Sequence, residues 1–218
     1  MIDVAGPRVW LIRHGQSESN AGLPTNGPGV APLTEVGRAQ AESVAAAFPE
    51  APALIVSSTF VRARETARPT IDRFPAVPYE EWPVQEFTYL GALHGPQTTN
   101  EGRRPFADAY WERADPAYVN GGDGESFQDL VVRTRVFRER LAKRRGGLVA
   151  VFTHGLFMRA LMWSLLTGVT TPDSAAMAEF RHFLDTCAVP NGAIVELRPG
   201  GPEGFLVIAG SSAHLPSA

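Results

Sequence analysis

The sequence contains very little lysine and cysteine, and each scarcity excludes a class of chemistry. Lys143 is the only lysine among 218 residues, so arginine carries nearly all of the positive charge. The chain therefore has no Gly-Lys-Ser/Thr phosphate loop, and a lysine within a charged run is unsuited to Schiff-base chemistry. Cys187 is the only cysteine, which excludes an intrachain disulfide. No arginine follows it at the spacing of the phosphate-binding loop of cysteine-dependent phosphatases.

Features of nucleic-acid binding, secretion and membrane insertion are also missing. The formal net charge is −3 at pH 7, whereas a nucleic-acid-binding surface would show an excess of basic residues. The chain begins without a basic region followed by a long apolar stretch. No apolar run approaches the ~20 residues of a membrane helix. We therefore expect a cytoplasmic protein with no nucleic-acid or membrane partner.

The remaining sequence alternates short apolar runs with helical patterns, and its apolar content of 44% is enough for a substantial core. Runs with the length and composition of buried strands are Val9–Ile12, Ala53–Val56, Leu148–Phe152, Gly192–Leu197 and Phe205–Ile208. Predicted helices are Thr34–Phe48, Val61–Arg73 with a kink or early end at Pro69, about Phe106–Arg113, Ser126–Arg145 with Asp129 in a capping box, and His154–Leu166. Residues 21–33 are rich in Gly and Pro and predict a loop.

This alternation predicts an α/β fold, a three-layer α/β/α sandwich whose mainly parallel central sheet has an antiparallel edge strand. We expect a single domain over residues 1–218, with a loop and helical cap inserted at about residues 87–124. Ligands of such sheets bind at the carboxyl ends of the strands. The pairs Arg13-His14 and Thr153-His154 each follow a predicted strand, so we expect them at the same edge.

Two histidines at one sheet edge, each followed by glycine, favour a phosphate site. A single histidine at a strand end is more often a packing residue, but His14 and His154 form a pair beside arginines. A neutral imidazole can attack phosphorus and become phosphohistidine. Glycine lets backbone amides approach a phosphate, and a nearby helix start adds favourable partial charge.

The run Arg13-His14-Gly15-Gln16-Ser17-Glu18-Ser19-Asn20 matches the Arg-His-Gly-x-Ser/Thr-x-x-Asn signature, and the chain thereby resembles the histidine phosphatase (phosphoglycerate mutase-like) superfamily. Further segments resemble the family's motifs in the same order: Leu33–Ala41, Ser57–Ala67, Glu86 with Leu90-Gly91, Gly124–Phe127 and Thr153–Gly155. The resemblance covers nearly the whole chain. It implies a phosphoglycerate mutase-like fold and a metal-independent phosphatase that needs no cofactor.

The resemblance also implies a role for each matching residue. His14 resembles the phosphorylated nucleophile, and Arg13, Arg62 and His154 resemble the phosphate pocket. Arginine forks bind phosphate oxygens in pairs and keep their charge throughout the reaction. Residues of the same loop that are expected to bind phosphate oxygens or to fix the loop are Ser17 and Asn20.

Glu86 is the candidate proton donor for the leaving alcohol, and it would later act as the base for the water that hydrolyses phosphohistidine. Glu80 and Glu81 are its nearby competitors. Glu86 is preferred because it precedes Leu90-Gly91 as the acid does in the family. Metal-ligand patterns such as His-Glu-x-x-His or Cys-x-x-Cys are absent from the sequence. We therefore expect no metal, a small-molecule phosphomonoester substrate, and a monomer or homodimer.

Two other functions remain open at this point. The run Ala92-Leu93-His94-Gly95 also resembles the mutase branch, and a cofactor-dependent phosphoglycerate mutase would share the same central residues. The segment Phe87-Thr88-Tyr89 favours a phosphatase, because it is apolar and aromatic where mutases hold a second charged substrate end. The other alternative is a non-catalytic phosphate-binding domain. It is disfavoured because the two histidines, the two arginines and the acid are all present.

The segment 87–111 should cover the pocket, although its role is not determined by the sequence. Arg103 and Arg104 either bind a second acidic group of the substrate or form an ordinary surface pair. The aromatic residues expected to pack in the core or to line the leaving-group side are Phe87, Tyr89, Phe106, Tyr110 and Trp111.

Overall fold

The computed structural model describes residues 6–201 and 204–215. The strands are β1 (Arg8–Arg13), β2 (Leu54–Ser57), β3 (Tyr79–Glu81), β4 (Leu148–Thr153), β5 (Ile194–Pro199) and β6 (Phe205–Ser211). The α-helices are α1 (Glu35–Ala46), α2 (Val61–Arg73), α3 (Asn100–Arg113), α4 (Phe127–Ala142), α5 (Gly155–Thr167) and α6 (Ser174–Thr186), and a short 3₁₀ helix spans Gly91–Leu93.

The six strands form one mixed sheet in the order β3-β2-β4-β1-β5-β6. The first four strands in that order are parallel, β5 is antiparallel to β1, and β6 is antiparallel to β5. β5 therefore runs against the other five strands, and the edge strand β6 pairs with it in the antiparallel sense, as predicted. The predicted fold class, a mainly parallel α/β sheet, is confirmed.

Helices cover both faces of this sheet. Alternate side chains of β1 point to opposite sides: Val9 and Leu11 pack with residues of α4, α5 and α6, whereas Ile12 packs with residues of α1 and α2. These three β1 side chains are fully buried. Burial of an aliphatic side chain of this size contributes about 1.5–3 kcal/mol, so the sheet is held rigidly between the two layers.

The helix starts follow their capping residues as predicted. The Thr34 side chain accepts from the Gly37 amide at the start of α1, and Ser126 and Asp129 form a capping box at α4.

Pro69 does not end α2, which continues to Arg73. α3 begins at Asn100, earlier than the predicted Phe106, and contains Pro105. Pro105 is the sixth residue of α3, beyond the first turn where an N–H has no intrahelical acceptor, so the carbonyl of Glu101 lacks its usual backbone donor and α3 tolerates this loss.

Two elements were not predicted from the sequence. β3 has only three residues, and its burial pattern gives no apolar alternation. α6 begins at the cap Asp173 and buries only Met177 and Phe180, so its apolar stripe is short. Both elements owe their stability to the neighbours they pack against rather than to a strong local pattern.

The loop after β1 approaches the start of α1 so closely that two glycines are required. A Cβ atom on Gly15 would lie 2.4 Å from the carbonyl oxygen of Gly37, and one on Gly37 would lie 2.0 Å from the carbonyl oxygen of Gln16. Both neighbours are backbone atoms and cannot rotate away. The two glycines therefore press the loop that carries His14 against a helix that is fixed to the sheet.

Candidate active site

The carboxyl ends of three parallel strands bring the main candidate residues together. His14 follows β1 and His154 follows β4, and the two strands pair in register through Arg13 and Thr153. The His14 amide donates to the carbonyl of Thr153 at 2.9 Å. The two imidazole rings lie with centroids 5.0 Å apart. The prediction that both histidines lie at one sheet edge is confirmed.

The hydrogen bonds of His14 fix its tautomer. Its Nδ1 lies 2.7 Å from the carbonyl oxygen of Gly15, and its Nε2 lies 3.0 Å from the Nε of Arg62. A carbonyl oxygen can only accept and a guanidinium can only donate. Nδ1 therefore carries the proton, and the Nε2 lone pair faces the guanidinium. This is the form of histidine that can act as a nucleophile.

Its surroundings keep His14 neutral. The ring is 2% exposed, and burial lowers its pKa well below 6.5, with the charges of Arg62 and Arg13 acting in the same direction. Burial disfavours the charged imidazolium, and so does a neighbouring positive charge. His14 thus presents an unprotonated Nε2 across the neutral pH range.

Two arginines flank this nucleophile. Arg62, in the first turn of α2, also donates from NH1 to the carbonyl of Pro28 at 2.6 Å. Burial lowers the pKa of Arg62 to about 10, a shift that the Glu86 carboxylate opposes and Arg13 reinforces, so the guanidinium stays charged at neutral pH. Arg13 donates from NH1 to the carbonyl of Val189, while its buried Nε has no partner among the described residues.

His154 lies behind His14 rather than on the wall of the adjacent cavity. It is fully buried, and its Nε2 lies 2.9 Å from the hydroxyl of Ser58. Its Nδ1 has no partner within the described part of the chain. Burial lowers the pKa of His154 well below 6.5, and the positive charge of Arg62 lowers it further. Ser58 was not predicted as a site residue. It belongs to the Ser57–Ala67 motif, but the motif alone assigns no role to it.

Glu86 reaches the site from the loop that follows β3. Its Oε1 accepts from the amides of Leu156 and Phe157, in the first turn of α5, at 3.0 and 3.3 Å. It also accepts from the Phe87 amide at 3.0 Å. The amides at a helix start are natural partners for a carboxylate. Because these bonds all use Oε1, the carboxyl group is held in place while Oε2 remains for proton exchange.

Ser17 and Asn20 tie the loop after β1 together. The Ser17 amide and hydroxyl both donate to Oδ1 of Asn20, at 3.2 and 3.0 Å. Asn191 donates from Nδ2 to the same oxygen at 3.1 Å and to the carbonyl of His14 at 3.0 Å. Asn191 was not predicted, because it lies 177 residues from His14 and no local pattern marks it.

The candidate residues other than His154 open onto a cavity of about 190 Å³. Its walls include Arg13, His14, Arg62 and Glu86 on the sheet side and the segment around Tyr89 on the cap side. Arg103 also lines the cavity and is buried, whereas Arg104 is exposed. The two arginines therefore do not form a surface pair.

The two competing acids lie away from this cavity. Glu80 accepts from the indole of Trp82 and from the guanidinium groups of Arg140 and Arg144. Glu81 is exposed and pairs with Arg64 at 3.6 Å. Neither carboxylate lines the cavity beside His14.

Within residues 6–201 and 204–215, no three His, Cys, Asp or Glu side chains are grouped so that they could hold a metal ion. Over the same residues, no helix is both long enough and apolar enough to cross a bilayer.

Comparison with known proteins assigns the family. A family model described as histidine phosphatase superfamily (branch 1) matches residues 9–202. The chain belongs to this superfamily. The family predicted from the Arg-His-Gly signature is therefore confirmed, and the match extends over nearly all of the chain, from β1 past β5.

Several relatives of this chain carry phosphatase names. It is 32% identical over 159 residues to the metal-independent phosphoserine phosphatase of Arabidopsis thaliana, which covers 70% of this chain and 66% of that protein. It is 32% identical over 170 residues to the glucosyl-3-phosphoglycerate phosphatase of Mycobacterium tuberculosis, which covers 73% of this chain and 75% of that one. The solved structure of a mycobacterial glucosyl-3-phosphoglycerate phosphatase in complex with VO3 has a TM-score of 0.68 and 25% identity, covering 93% and 97% of the two chains.

The two neutral histidines of the site should make this protein less stable in mild acid. The folded pKa values of His14 and His154 lie below the unfolded value near 6.5, so the unfolded chain takes up protons first as the pH falls. The free energy of unfolding should then fall below about pH 6.5, by up to about 1.4 kcal/mol per pH unit for each histidine. Urea unfolding between pH 7 and pH 5 measures this slope.

The matched variants are His154→Asn and His182→Asn, since His182 is exposed on α6. His154→Asn should reduce the slope of the free energy of unfolding against pH by up to about 1.4 kcal/mol per pH unit, which corresponds to one proton. His182→Asn should leave that slope unchanged. Equal slopes in the natural chain and in His154→Asn would contradict the expectation.

Proposed function

We propose that this protein is a metal-independent phosphomonoesterase that works through a phosphohistidine on His14, with Glu86 as the proton donor. The observation that carries the proposal is the pair of hydrogen bonds that leaves Nε2 of His14 unprotonated beside the Arg62 guanidinium, on the wall of a cavity. A buried neutral imidazole next to two arginines combines a nucleophile with a binding site for its anionic target.

In the first step, the phosphate group of the substrate binds to Arg13 and Arg62, and Arg62 exchanges its bond to Nε2 for a phosphate oxygen. Nε2 of His14 then attacks phosphorus, so that a P–N bond forms as the bond to the leaving oxygen breaks. Glu86 transfers its proton to that oxygen, and a neutral alcohol departs. The Gly15 carbonyl, which accepts from Nδ1, stabilises the positive charge that develops on the ring.

In the second step, the Glu86 carboxylate takes a proton from water as the water oxygen attacks phosphorus. The P–N bond breaks, inorganic phosphate leaves, and His14 returns to its neutral form. Glu86 ends the cycle protonated, as it began. The rigid placement of the acid by α5 suits both steps, since each requires proton transfer at a fixed position.

The charge pattern of the cavity supports phosphoryl transfer. The transition state spreads negative charge over the equatorial oxygens, and catalysis depends mostly on positioning and electrostatic stabilisation. Arg13 and Arg62 supply two fixed positive charges in a buried setting. The phosphatase names of the relatives, for phosphoserine and for glucosyl-3-phosphoglycerate, agree with this chemistry.

A panel of phosphomonoesters tests the proposal. Purified protein with EDTA should release inorganic phosphate from an aryl phosphate at the rate seen without EDTA, and vanadate should inhibit it. Each phosphorylated metabolite is assayed for released phosphate and for isomerised product. Phosphate release supports a phosphatase. Isomerisation at a rate above hydrolysis would assign the protein to mutase chemistry instead, and loss of activity with EDTA would overturn metal independence.

A further inference from the structure

We infer that Arg133 is a positioning residue for proton transfer: it fixes the backbone of the loop that presents Glu86, and the Glu125 carboxylate orients it for that role. The inference deepens the proposed function and rests on it, because it requires Glu86 to be the proton donor. It starts from a mostly buried ion pair at α4 that the phosphohistidine mechanism does not use.

The loop that leads to Glu86 lacks the hydrogen bonds of a sheet. Residues 82–88 belong to no helix or strand, so their carbonyl groups need partners from elsewhere. Side chains of α4 and β4 donate to the three carbonyls that precede the acid. The bonds are those from Arg133 to Pro83 at 3.3 Å, from the Thr153 hydroxyl to Val84 at 2.6 Å, and from Arg133 to Gln85 at 2.7 Å. Arg133 therefore holds the loop at two points, and one of them is directly next to Glu86.

The Glu125 carboxylate determines where the guanidinium of Arg133 points. Nε and Nη2 of Arg133 donate to the two carboxylate oxygens, both at 2.7 Å. Because a guanidinium is planar, two bonds along one edge fix the direction of the third nitrogen. That nitrogen, Nη1, is the one that donates to the loop. The two side chains are only 13% and 11% exposed, so water competes little for these bonds.

The same pair of residues also contacts the chain on the other side of the acid. The Glu125 amide donates to the carbonyl of Thr88 at 3.3 Å. The guanidinium of Arg133 lies 5.0 Å from the ring centre of Phe157, and the Phe157 amide is one of the donors to Oε1 of Glu86. Arg133 thus contacts both the backbone that carries the acid and a residue that binds its carboxylate.

This backbone support matters because the amide bonds to Glu86 do not fix its orientation. They all use Oε1, so with these bonds alone the carboxyl group would pivot about that oxygen and move Oε2. A proton donor must come within about 2.6–3.2 Å of its target, and a displacement of about 1 Å can cost about 100-fold in rate. Support at Gln85 and Thr88 restricts the pivot, and this is the contribution that we assign to Arg133 and Glu125.

A second arginine on the same helix provides the matched control. Arg135 pairs with Glu139 at 3.8 Å, and the two side chains are 48% and 61% exposed. An exposed pair of this kind contributes little to stability. Arg135→Met should therefore leave the hydrolysis of every substrate unchanged.

Hydrolysis of an alkyl and an aryl phosphate by Arg133→Met tests the inference. The alkyl substrate depends more on the proton donor, since an alkoxide is the poorer leaving group. In Arg133→Met, kcat/KM for the alkyl phosphate should fall by about 10- to 100-fold, and this loss should exceed the aryl loss by about tenfold. An arginine that is needed only for folding would lower both rates equally.

Two combined variants separate positioning from folding. Arg133→Met alone leaves the Glu125 carboxylate unpaired, which destabilises the fold, whereas Glu125→Leu together with Arg133→Met removes both charges and should stay folded. This combination should show the same selective loss on the alkyl phosphate. When Arg133→Met is added to Glu86→Gln, it should cause no further selective loss, because no proton donor remains to be positioned.

The inference is overturned if the alkyl and aryl losses are equal in both Arg133 variants, or if the selective losses of Glu86→Gln and Arg133→Met multiply when they are combined. Failure of the proposed function has a different signature, since Glu86→Gln itself would then slow the two substrates equally, and the inference would fail with it. A selective loss in Glu86→Gln without one in the Arg133 variants would refute only the role of Arg133.

Discussion

Replacement of His14 by asparagine should lower turnover of every phosphomonoester by roughly 10⁴- to 10⁶-fold, the range seen when a covalent nucleophile is removed. Asparagine can still accept from Arg62 through its side-chain oxygen, so the arginine keeps a partner. It offers no nitrogen lone pair that can attack phosphorus. The loss should appear in kcat, because Arg13 and Arg62 still bind the phosphate group.

Two measurements check the role of His14. Steady-state hydrolysis of an aryl phosphate gives the loss of turnover, and rapid acid-free quenching with radiolabelled substrate shows whether label attaches to the protein. The natural chain should carry acid-labile label and His14→Asn should carry none. His182→Asn, at an exposed position on α6, should behave as the natural chain. Labelling of His14→Asn at the natural level would refute phosphohistidine chemistry at this residue.

Replacement of Glu86 by glutamine should slow hydrolysis of alkyl phosphates by about 10²- to 10⁴-fold, the usual contribution of a general acid. Glutamine keeps the oxygen that accepts from the Leu156, Phe157 and Phe87 amides, so the loop should stay in place. It has no proton to give to the leaving oxygen. An aryl phosphate has a stable leaving group and needs that proton less, so its phosphorylation step should slow much less.

The diagnostic quantity is the ratio between the two substrates, measured as kcat/KM, which reports steps up to phosphorylation. A loss confined to the alkyl phosphate identifies Glu86 as the proton donor. Glu80→Gln is the matched control, since that carboxylate is bonded to Trp82, Arg140 and Arg144 outside the cavity. Equal losses on both substrates in Glu86→Gln, or a larger loss in Glu80→Gln, would assign the acid role elsewhere.

The positions of several candidate site residues could be predicted because each of these residues lies next to a short local sequence pattern. His14 and His154 each follow an apolar run, and parallel strands place their carboxyl ends at one edge. The register of Arg13 with Thr153 then follows from pairing two strands of equal length. For Glu86 the motif was enough to choose it over Glu80, although its anchoring on α5 could not be foreseen.

The remaining contacts depend on chain segments that are distant in sequence. Asn191 reaches the loop after β1 from the other end of the chain, and Ser58 meets His154 across two strands. α6 contributes only a short apolar stripe. The burial of Arg103 required α3 to begin before Pro105, against the usual preference of proline for loops. Such features arise from packing, and a local pattern does not contain them.

The position of β1 and β4 in the middle of the sheet determines which parts of the chain can unfold locally and which unfold only with the whole fold. They are the middle pair of six strands, and every residue of β4 is buried. Amide hydrogens in such strands exchange with solvent only when the whole fold opens, whereas loop-supported segments exchange through smaller fluctuations. The cap is joined to the loop after β1 by the bridge between Thr25 and Thr98 and by hydrogen bonds from Gln97 to Asn26 and from Asn100 to Ser19. Amide hydrogens of the cap should therefore exchange faster than those of β1 and β4, because these surface hydrogen bonds can open while the sheet stays folded.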